Sequence, residues 1–498
     1  MKWCLISVIL FSTAATAQLK LAKIFTDNMV LQRNKPVKIT GTAVPGKTIS
    51  VSFGNETKTA VAGPDSSWMI SFKKQKENLS PQTITARCGE DKLEIRNVLI
   101  GDVWLCLGQS NMQWPVEREM HAVQALATAS QPLLRFYNPS YAGENIYNSP
   151  FTDSVAARLN EPDFYKGSWE QSDSHSVRTM SAVGYYFGKA ILLSEKIPVG
   201  LIDLSIGGAP AETFIRRGAL QNDLRFSAKV KSDWLENESL PVWIRERGRQ
   251  NRGDRKNGNG DEWGWNHAFK PGFAFTAGIL PLLSFPVAGI IWYQGESNSL
   301  EKDRVEEYND LLELMVNDYR RQWQQPDMPF YWVQLSSIDT ATYASQYWPQ
   351  FRNEQRLFLQ KIKNGGMAVS SDAGLKNDVH PRNKKIVGER LARWALRHTY
   401  HRRVTPSGPL PVRARWRNGE VIVKFRYGKG LRPADGDMVR GFSIDGEKTG
   451  NIFFKKNKVI IPVNTKPGFI TYGWAPFTTA NLVNAEGLPA STFKIPVR

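Results

Sequence analysis

The chain has 498 residues, of which 41% are hydrophobic, with 16 Trp and 24 Phe. That is too much apolar side chain for a disordered polymer and too much length for one ordinary core, so two or three domains are expected. Its 65 Lys and Arg against 47 Asp and Glu give a net charge of +18, but the basic residues are dispersed and no nucleic-acid-binding pattern occurs, which argues against a nucleic-acid partner.

The chain opens MKWCLISVILFSTAATA. Lys2, an apolar run and the small-x-small string Ala15-Thr16-Ala17 predict a signal peptide over residues 1–17, with Gln18 the first mature residue. Cys4 is not at the end of the apolar run, so a soluble periplasmic or secreted product is expected rather than a lipoprotein. Only Cys88 and Cys106 then remain, which allows one disulfide at most.

Residues 18–97 alternate apolar and polar positions in short runs, such as Val37-Lys38-Ile39-Thr40 and Ile49-Ser50-Val51-Ser52-Phe53. Gly41, Pro45-Gly46 and Gly63-Pro64 punctuate them, so a small β domain is predicted. From residue 98 to 404, apolar strand-like runs end in Gly-containing loops and are followed by helical periodicity. Val103 to Leu107, Val199 to Leu204, Val287 to Trp292 and Phe330 to Leu335 are examples. This predicts an α/β domain, a mostly parallel sheet flanked by helices, with reactive groups in the loops at the strands' carboxyl ends. The apolar stretch Phe273 to Trp292 carries Pro281, Ser284 and Pro286, so it reads as buried helix, turn and strand rather than as a membrane span. Residues 405–498 return to β alternation, as in Glu420 to Phe425 and Lys458 to Val463, and form a second β domain.

Four loops hold the residue types that acyl transfer requires: a hydroxyl nucleophile, an imidazole base, an acid to orient it and donors for an oxyanion. The strand Val103 to Leu107 leads into Gly108-Gln109-Ser110-Asn111-Met112, which places Ser110 at the mouth of the sheet. Leu204-Ser205-Ile206-Gly207-Gly208 lets backbone amides approach a ligand closely. Asp203 replaces the first glycine of a Gly-x-Ser-x-Gly elbow around Ser205, which weakens an α/β-hydrolase reading. Trp292-Tyr293-Gln294-Gly295-Glu296-Ser297-Asn298 offers side-chain amides, and Glu296 reads as a hydrogen-bonding residue of the loop rather than a glycosidase carboxylate. Asn377-Asp378-Val379-His380-Pro381 precedes an apolar pattern at helical spacing whose first turn would tolerate Pro381. Of six histidines, only His380 joins an adjacent acid to a loop-helix junction. The densest basic cluster, Arg245 to Lys256, reads as a solvated surface loop.

Together these blocks resemble the sialate O-acetylesterase family of the SGNH hydrolase superfamily. GDVWLCLGQSNMQWPV, WYQGESN and HPRNKKIVGERLARWAL are similar to its core blocks, and FTDNMVLQRNKPVKITGTAVPG and NLVNAEGLPASTF to its terminal β domains. The resemblance implies an SGNH-type fold and a carbohydrate esterase acting without metal or organic cofactor. It implies Ser110 as nucleophile, His380 as base, and an oxyanion hole of the Ser110 amide, a Gly207 or Gly208 amide and a side-chain amide, Gln294 first and Asn298 second. The superfamily's acid lies three residues before the histidine. That position here is Asn377, and the orienting group is Asp378, Asp372 or a backbone carbonyl.

The implied substrate is an O-acetylated sugar, foremost 9-O-acetyl sialic acid. Acetylated xylan or another plant glycan is the rival substrate, and a glycan-binding protein without catalysis is the rival class. Oligomeric state is not encoded in these motifs.

Overall fold

The computed structural model describes residues 18–256, 258–341 and 343–498; the expected signal peptide, residues 1–17, lies outside the described residues. At its centre six strands run parallel, side by side in the order Gln131–Tyr137, Val199–Asp203, Asp91–Gly108, Gly289–Tyr293, Phe330–Gln334 and Gly365–Val369. Trp169–Ser172 closes the first edge in antiparallel register. The central strands read as unbroken apolar runs because both faces are covered: Trp104, Leu105, Cys106 and Leu107 are all fully buried.

Trp104 and Trp292 illustrate the two faces. Register pairs Trp292 with Leu107, three residues beyond Trp104, so the two indoles stand on opposite sides of the sheet. Trp104 packs on Phe187 and Tyr331 and donates its indole N–H to Tyr400. Trp292 packs edge-on to Phe214 and donates to Tyr308. The helices Ala182–Glu195 and Lys384–His398 cover the first side. They approach so closely that a Cβ on Gly388 would stand 2.6 Å from the Val183 carbonyl oxygen, which leaves room only for glycine. Lys302–Gln322 packs with Trp348–Leu357.

Asp91–Gly108 is 18 residues long and spans two environments. Its first part pairs with Asn78–Cys88 and Val30–Gln32, and its last part with the parallel strands. The expected boundary between residues 97 and 98 therefore falls inside one continuous strand. The apolar core correspondingly runs without interruption from Leu19 to Leu410. The carboxyl-terminal strands enclose a separate core that includes Val421, Phe425, Phe442, Tyr472 and Phe493. Buried Arg352 links them to the sheet layer by donating to the carbonyls of Gly473, Ala475 and Pro476. With no acid paired to it among the described residues, burial pulls its guanidinium down to about 9.

The stretch Phe273 to Trp292 holds a π-helical turn at Phe275–Ile279, a 3-10 turn at Leu280–Leu282 and the strand Gly289–Tyr293. Among the described residues, no helix is long and apolar enough to cross a membrane. Cys88 and Cys106 are both free thiols.

Two local expectations need correction. Most of the Arg245–Lys256 cluster is not a loop: Arg245, Arg247, Arg249 and Arg252 belong to the helix Val242–Arg252. Ile244, Gly248 and Asn251 recur on its buried side at helical spacing, and a Cβ on Gly248 would stand 2.2 Å from the Trp234 ring. The helix after His380 starts at Lys384, so Pro381 precedes it instead of lying in its first turn.

Candidate active site

The chain passes from Asp91–Gly108 to strands on one side of it, Gln131–Tyr137 and Val199–Asp203, and then crosses to Gly289–Tyr293 on the other. This reversal opens a crevice beyond the carboxyl end of Asp91–Gly108, where α/β sheets bind ligands. Gly108 makes the exit from the strand with φ of 136°, and a Cβ there would stand 2.1 Å from the Tyr293 carbonyl oxygen. No other residue fits both the dihedral and the space. Gln109 N–H donates to that carbonyl at 3.0 Å, and Ile206 N–H donates to the Gly108 carbonyl at 3.0 Å. Ser110, pinned between two neighbouring strand ends, then opens the short helix Ser110–Gln113.

His380 comes to it from the loop after Gly365–Val369, at the far edge of the sheet. Its Nε2 lies 2.9 Å from Ser110 Oγ. The imidazole stacks on Trp114, with ring centroids 5.1 Å apart and planes 20° apart. Asp378 accepts the His380 backbone N–H at 2.8 Å, and the same oxygen lies 3.6 Å from Nδ1. With the ring proton on Nδ1, facing that carboxylate, Nε2 is the acceptor for the Ser110 hydroxyl. Burial, reinforced by the Lys384 cation, pushes the imidazole below its ordinary value, while Asp378 opposes them. Asp372, the other candidate acid, is taken up by Arg390 through two contacts of 2.7 Å.

Beneath this pair lie Glu296, expected as a hydrogen-bonding residue of its loop, and two residues given no role in the sequence reading, Lys384 and Asn111. Lys384 is fully buried and donates to the Asn111 side-chain oxygen. Asn111 Nδ2 donates to Glu296 Oε1 at 2.5 Å and to the Val379 carbonyl at 3.0 Å. One asparagine therefore couples the Ser110 loop, the His380 loop and the Glu296 loop. Burial pulls Lys384 down to about 7 and pushes Glu296 up. Lys384 had a readable signal: it falls on the stripe of Val387 and Leu391, where a charge is out of pattern.

The expected amide donors lie elsewhere. Gln294 is fully buried, and its Nε2 donates to Asn298 Oδ1 at 2.7 Å, Gln109 Oε1 at 3.2 Å and the Ala209 carbonyl at 3.3 Å. Both hydrogens of that nitrogen are engaged. Asn298 receives the Ala211 N–H at 3.0 Å and donates to Glu212 at 3.2 Å. Neither residue is part of the cavity wall, so in this structure both side-chain amides serve internal hydrogen bonds. Of the side-chain amides that line the cavity, Gln109 is the one next to Ser110 in the chain. Its Oε1 accepts the Ser297 N–H at 3.2 Å and the Gly295 N–H at 3.4 Å.

Of the two glycines, Gly207 directs its N–H to the Tyr141 hydroxyl at 3.2 Å. Gly208, with φ of 73°, lines the cavity. Among the described residues, the N–H groups of Ser110 and Gly208 have no acceptor.

Ser110 and His380 open into a cavity of about 870 Å³, walled also by Trp114, Tyr147, Trp243 and Arg247. That volume holds a sugar-sized ligand.

A family described as "Carbohydrate esterase, sialic acid-specific acetylesterase" matches residues 280–397, which include His380 and the Gln294–Asn298 loop. The sialate O-acetylesterase of Pongo abelii is 28% identical over 423 residues, covering 79% of this chain and 73% of the relative. That of Mus musculus is 28% identical over 466 residues, covering 84% and 80%. The crystal structure of a carbohydrate acetylesterase from Xanthomonas citri superposes with a TM-score of 0.77 at 26% identity, covering 96% of this chain and 99% of that one. By sequence over most of its length and by fold, the chain is similar to carbohydrate esterases, the sialate O-acetylesterases among them.

Proposed function

We propose that the chain removes O-acetyl groups from sugars through an acetyl-serine intermediate, with 9-O-acetylated sialic acid as its foremost substrate. The observation that carries this reading is the 2.9 Å approach of His380 Nε2 to Ser110 Oγ in a sugar-sized cavity at the sheet's crevice. His380, held neutral by burial, accepts the Ser110 proton as Oγ attacks the acetyl carbonyl. The Ser110 and Gly208 amides receive the developing oxyanion. His380 then returns the proton to the departing sugar oxygen, and water repeats both steps on the acetyl-enzyme to release acetate. Asp378 holds the His380 loop through the backbone N–H and faces Nδ1.

The leader pattern over residues 1–17 supports export, to the periplasm or the medium, as part of the same reading.

The test is acetate release from 9-O-acetyl sialic acid, with acetylated xylan and a neutral aryl acetate alongside. Ser110→Ala should lower turnover by at least about ten-thousandfold, and an organophosphonate should label Ser110 in the wild type. Release from xylan alone would transfer the reading to a plant-glycan esterase. Refractory, folded protein on all three substrates would leave only glycan binding.

A further inference from the structure

The helix Val242–Arg252 presents a cation to the active-site cavity that the proposed chemistry does not use. Trp243 and Arg247, four residues apart on one helical face, both line the cavity. Arg249, two residues further on, is neutralised by Glu236 at 2.9 Å and by Glu246. Arg247 has no acid partner among the described residues, and its buried Nε has no hydrogen-bond acceptor. Burial accordingly pulls its guanidinium below the ordinary arginine value. Its ring neighbour is Tyr147, with the guanidinium carbon 5.4 Å from the ring centroid.

The acids of the same cavity are engaged elsewhere. Asp203 receives the Ser205 hydroxyl at 2.6 Å, Glu144 the Gln113 amide at 2.8 Å, and Glu296 the Asn111 amide. Glu117 lies nearest Arg178, at 3.9 Å. Burial pushes Glu144 up and Asp203 up to about 7. His267, which feels the Arg247 charge, is pushed down to about 3, first by burial. A second cation, Arg118, lines the cavity, and both arginines act on the Tyr147 hydroxyl. That hydroxyl also lies 2.9 Å from where a Cβ on Gly207 would stand, so Tyr147 borders the Gly207-Gly208 loop. A half-buried guanidinium in the cavity wall, without an ion-pair partner among the described residues and with a buried Nε that has no acceptor, is a site for an anionic ligand group.

We propose that Arg247, seated on Tyr147 beside Trp243 and assisted by Arg118, binds the carboxylate of an acidic acetylated sugar and makes this esterase selective for anionic substrates. The proposal rests on the esterase reading and adds the group that recognises the sugar's charge. A planar, five-donor fork suits a carboxylate, and Tyr147 behind it fixes the plane. A sialic acid and an acetylated hexuronic acid share this group.

The experiment compares kcat/KM for 9-O-acetyl sialic acid, its methyl ester and an acetylated galacturonic acid, in the wild type, Arg247→Gln, Arg247→Lys and Arg118→Gln. The wild type should prefer the free acid over its methyl ester by about tenfold to a hundredfold. Arg247→Gln should erase that preference through KM, Arg247→Lys should restore part of it, and Arg118→Gln should reduce it. If both anionic sugars are preferred to neutral esters, the subsite reads charge; if only the sialic acid is, it also reads shape. An acid-to-ester ratio unchanged in Arg247→Gln, or near one in the wild type, overturns the subsite and leaves the esterase reading standing. Absence of acetate release from every ester in the wild type overturns the esterase reading instead. Circular dichroism of each variant separates lost recognition from lost folding.

Discussion

Two sets of buried polar groups flank Ser110, and they are built differently. On the side of Gly289–Tyr293, Gln109, Gln294, Asn298, Glu212 and Arg304 form a chain that ends on an ion pair of 2.9 Å. Burial alone would raise Glu212, but Arg304 and Lys229 hold it well below the usual carboxylate range. On the side of His380, Lys384, Asn111 and Glu296 form a shorter chain. There burial pulls Lys384 down to about 7 and pushes Glu296 up. The first set is a strut whose charges compensate each other. The second keeps unspent electrostatic field next to the imidazole, so the two should respond differently to mutation.

Gln294 tests the strut. As an oxyanion donor, its removal would cost about a hundredfold to a thousandfold in kcat with stability little changed. As a strut, Gln294→Ala takes one hydrogen bond each from Asn298, Gln109 and the Tyr308 hydroxyl, which Gln294 Oε1 accepts at 2.8 Å. The expected outcome is a loss of about 0.5–1.5 kcal/mol per hydrogen bond removed in denaturant unfolding, with kcat of the folded fraction falling by less than about a hundredfold. The reverse pattern would put the Gln294 amide back in the oxyanion hole.

Much of this arrangement was legible in the sequence. Gly108, Ser110 and His380 carry local signatures: a strand exit, a loop before a helix, and an acid two residues before the histidine. So did the alternation of apolar strands and helices that builds the parallel sheet. The strand Asp91–Gly108 was not legible as one element, because polar Asp91 to Asn97 and apolar Val98 to Leu107 read as different textures. What joins them is pairing with Asn78–Cys88, a tertiary fact. The same holds for Gln294, whose motif names a donor but whose side chain turns to Asn298 through contacts no local pattern encodes. Arg247 was hidden in a basic run because charge density says nothing of which arginines find acids.

On the His380 side, Asp378 should matter less than an acid hydrogen-bonded to the imidazole. Where such a bond exists, replacing the acid by its amide lowers turnover by about ten-thousandfold. Here the carboxylate oxygen lies 3.6 Å from Nδ1, and the side chain is 39% exposed. Asn would keep an oxygen for the His380 N–H. Asp378→Asn should therefore cost about tenfold in kcat. A loss of several thousandfold would mean that the 3.6 Å gap closes when substrate binds.

The smallest expected effect is the most diagnostic of the field beside the imidazole. His380 must be neutral to accept the Ser110 proton, so kcat/KM falls as pH drops through its titration. Burial depresses that titration, and the Lys384 cation depresses it further. Lys384→Met keeps the side chain's length and removes its charge. The protonated imidazole then becomes easier to form, and the acid limb of the pH profile should move to higher pH. Lys384 itself, pulled down from 10.5 to about 7, releases in the folded state a proton that the unfolded chain still holds. Wild-type stability should therefore rise as pH climbs from about 7 towards 10.5, and Lys384→Met should lose that rise. An acid limb that stays in place would confine Lys384 to anchoring Asn111, and both chains behind Ser110 would then be struts.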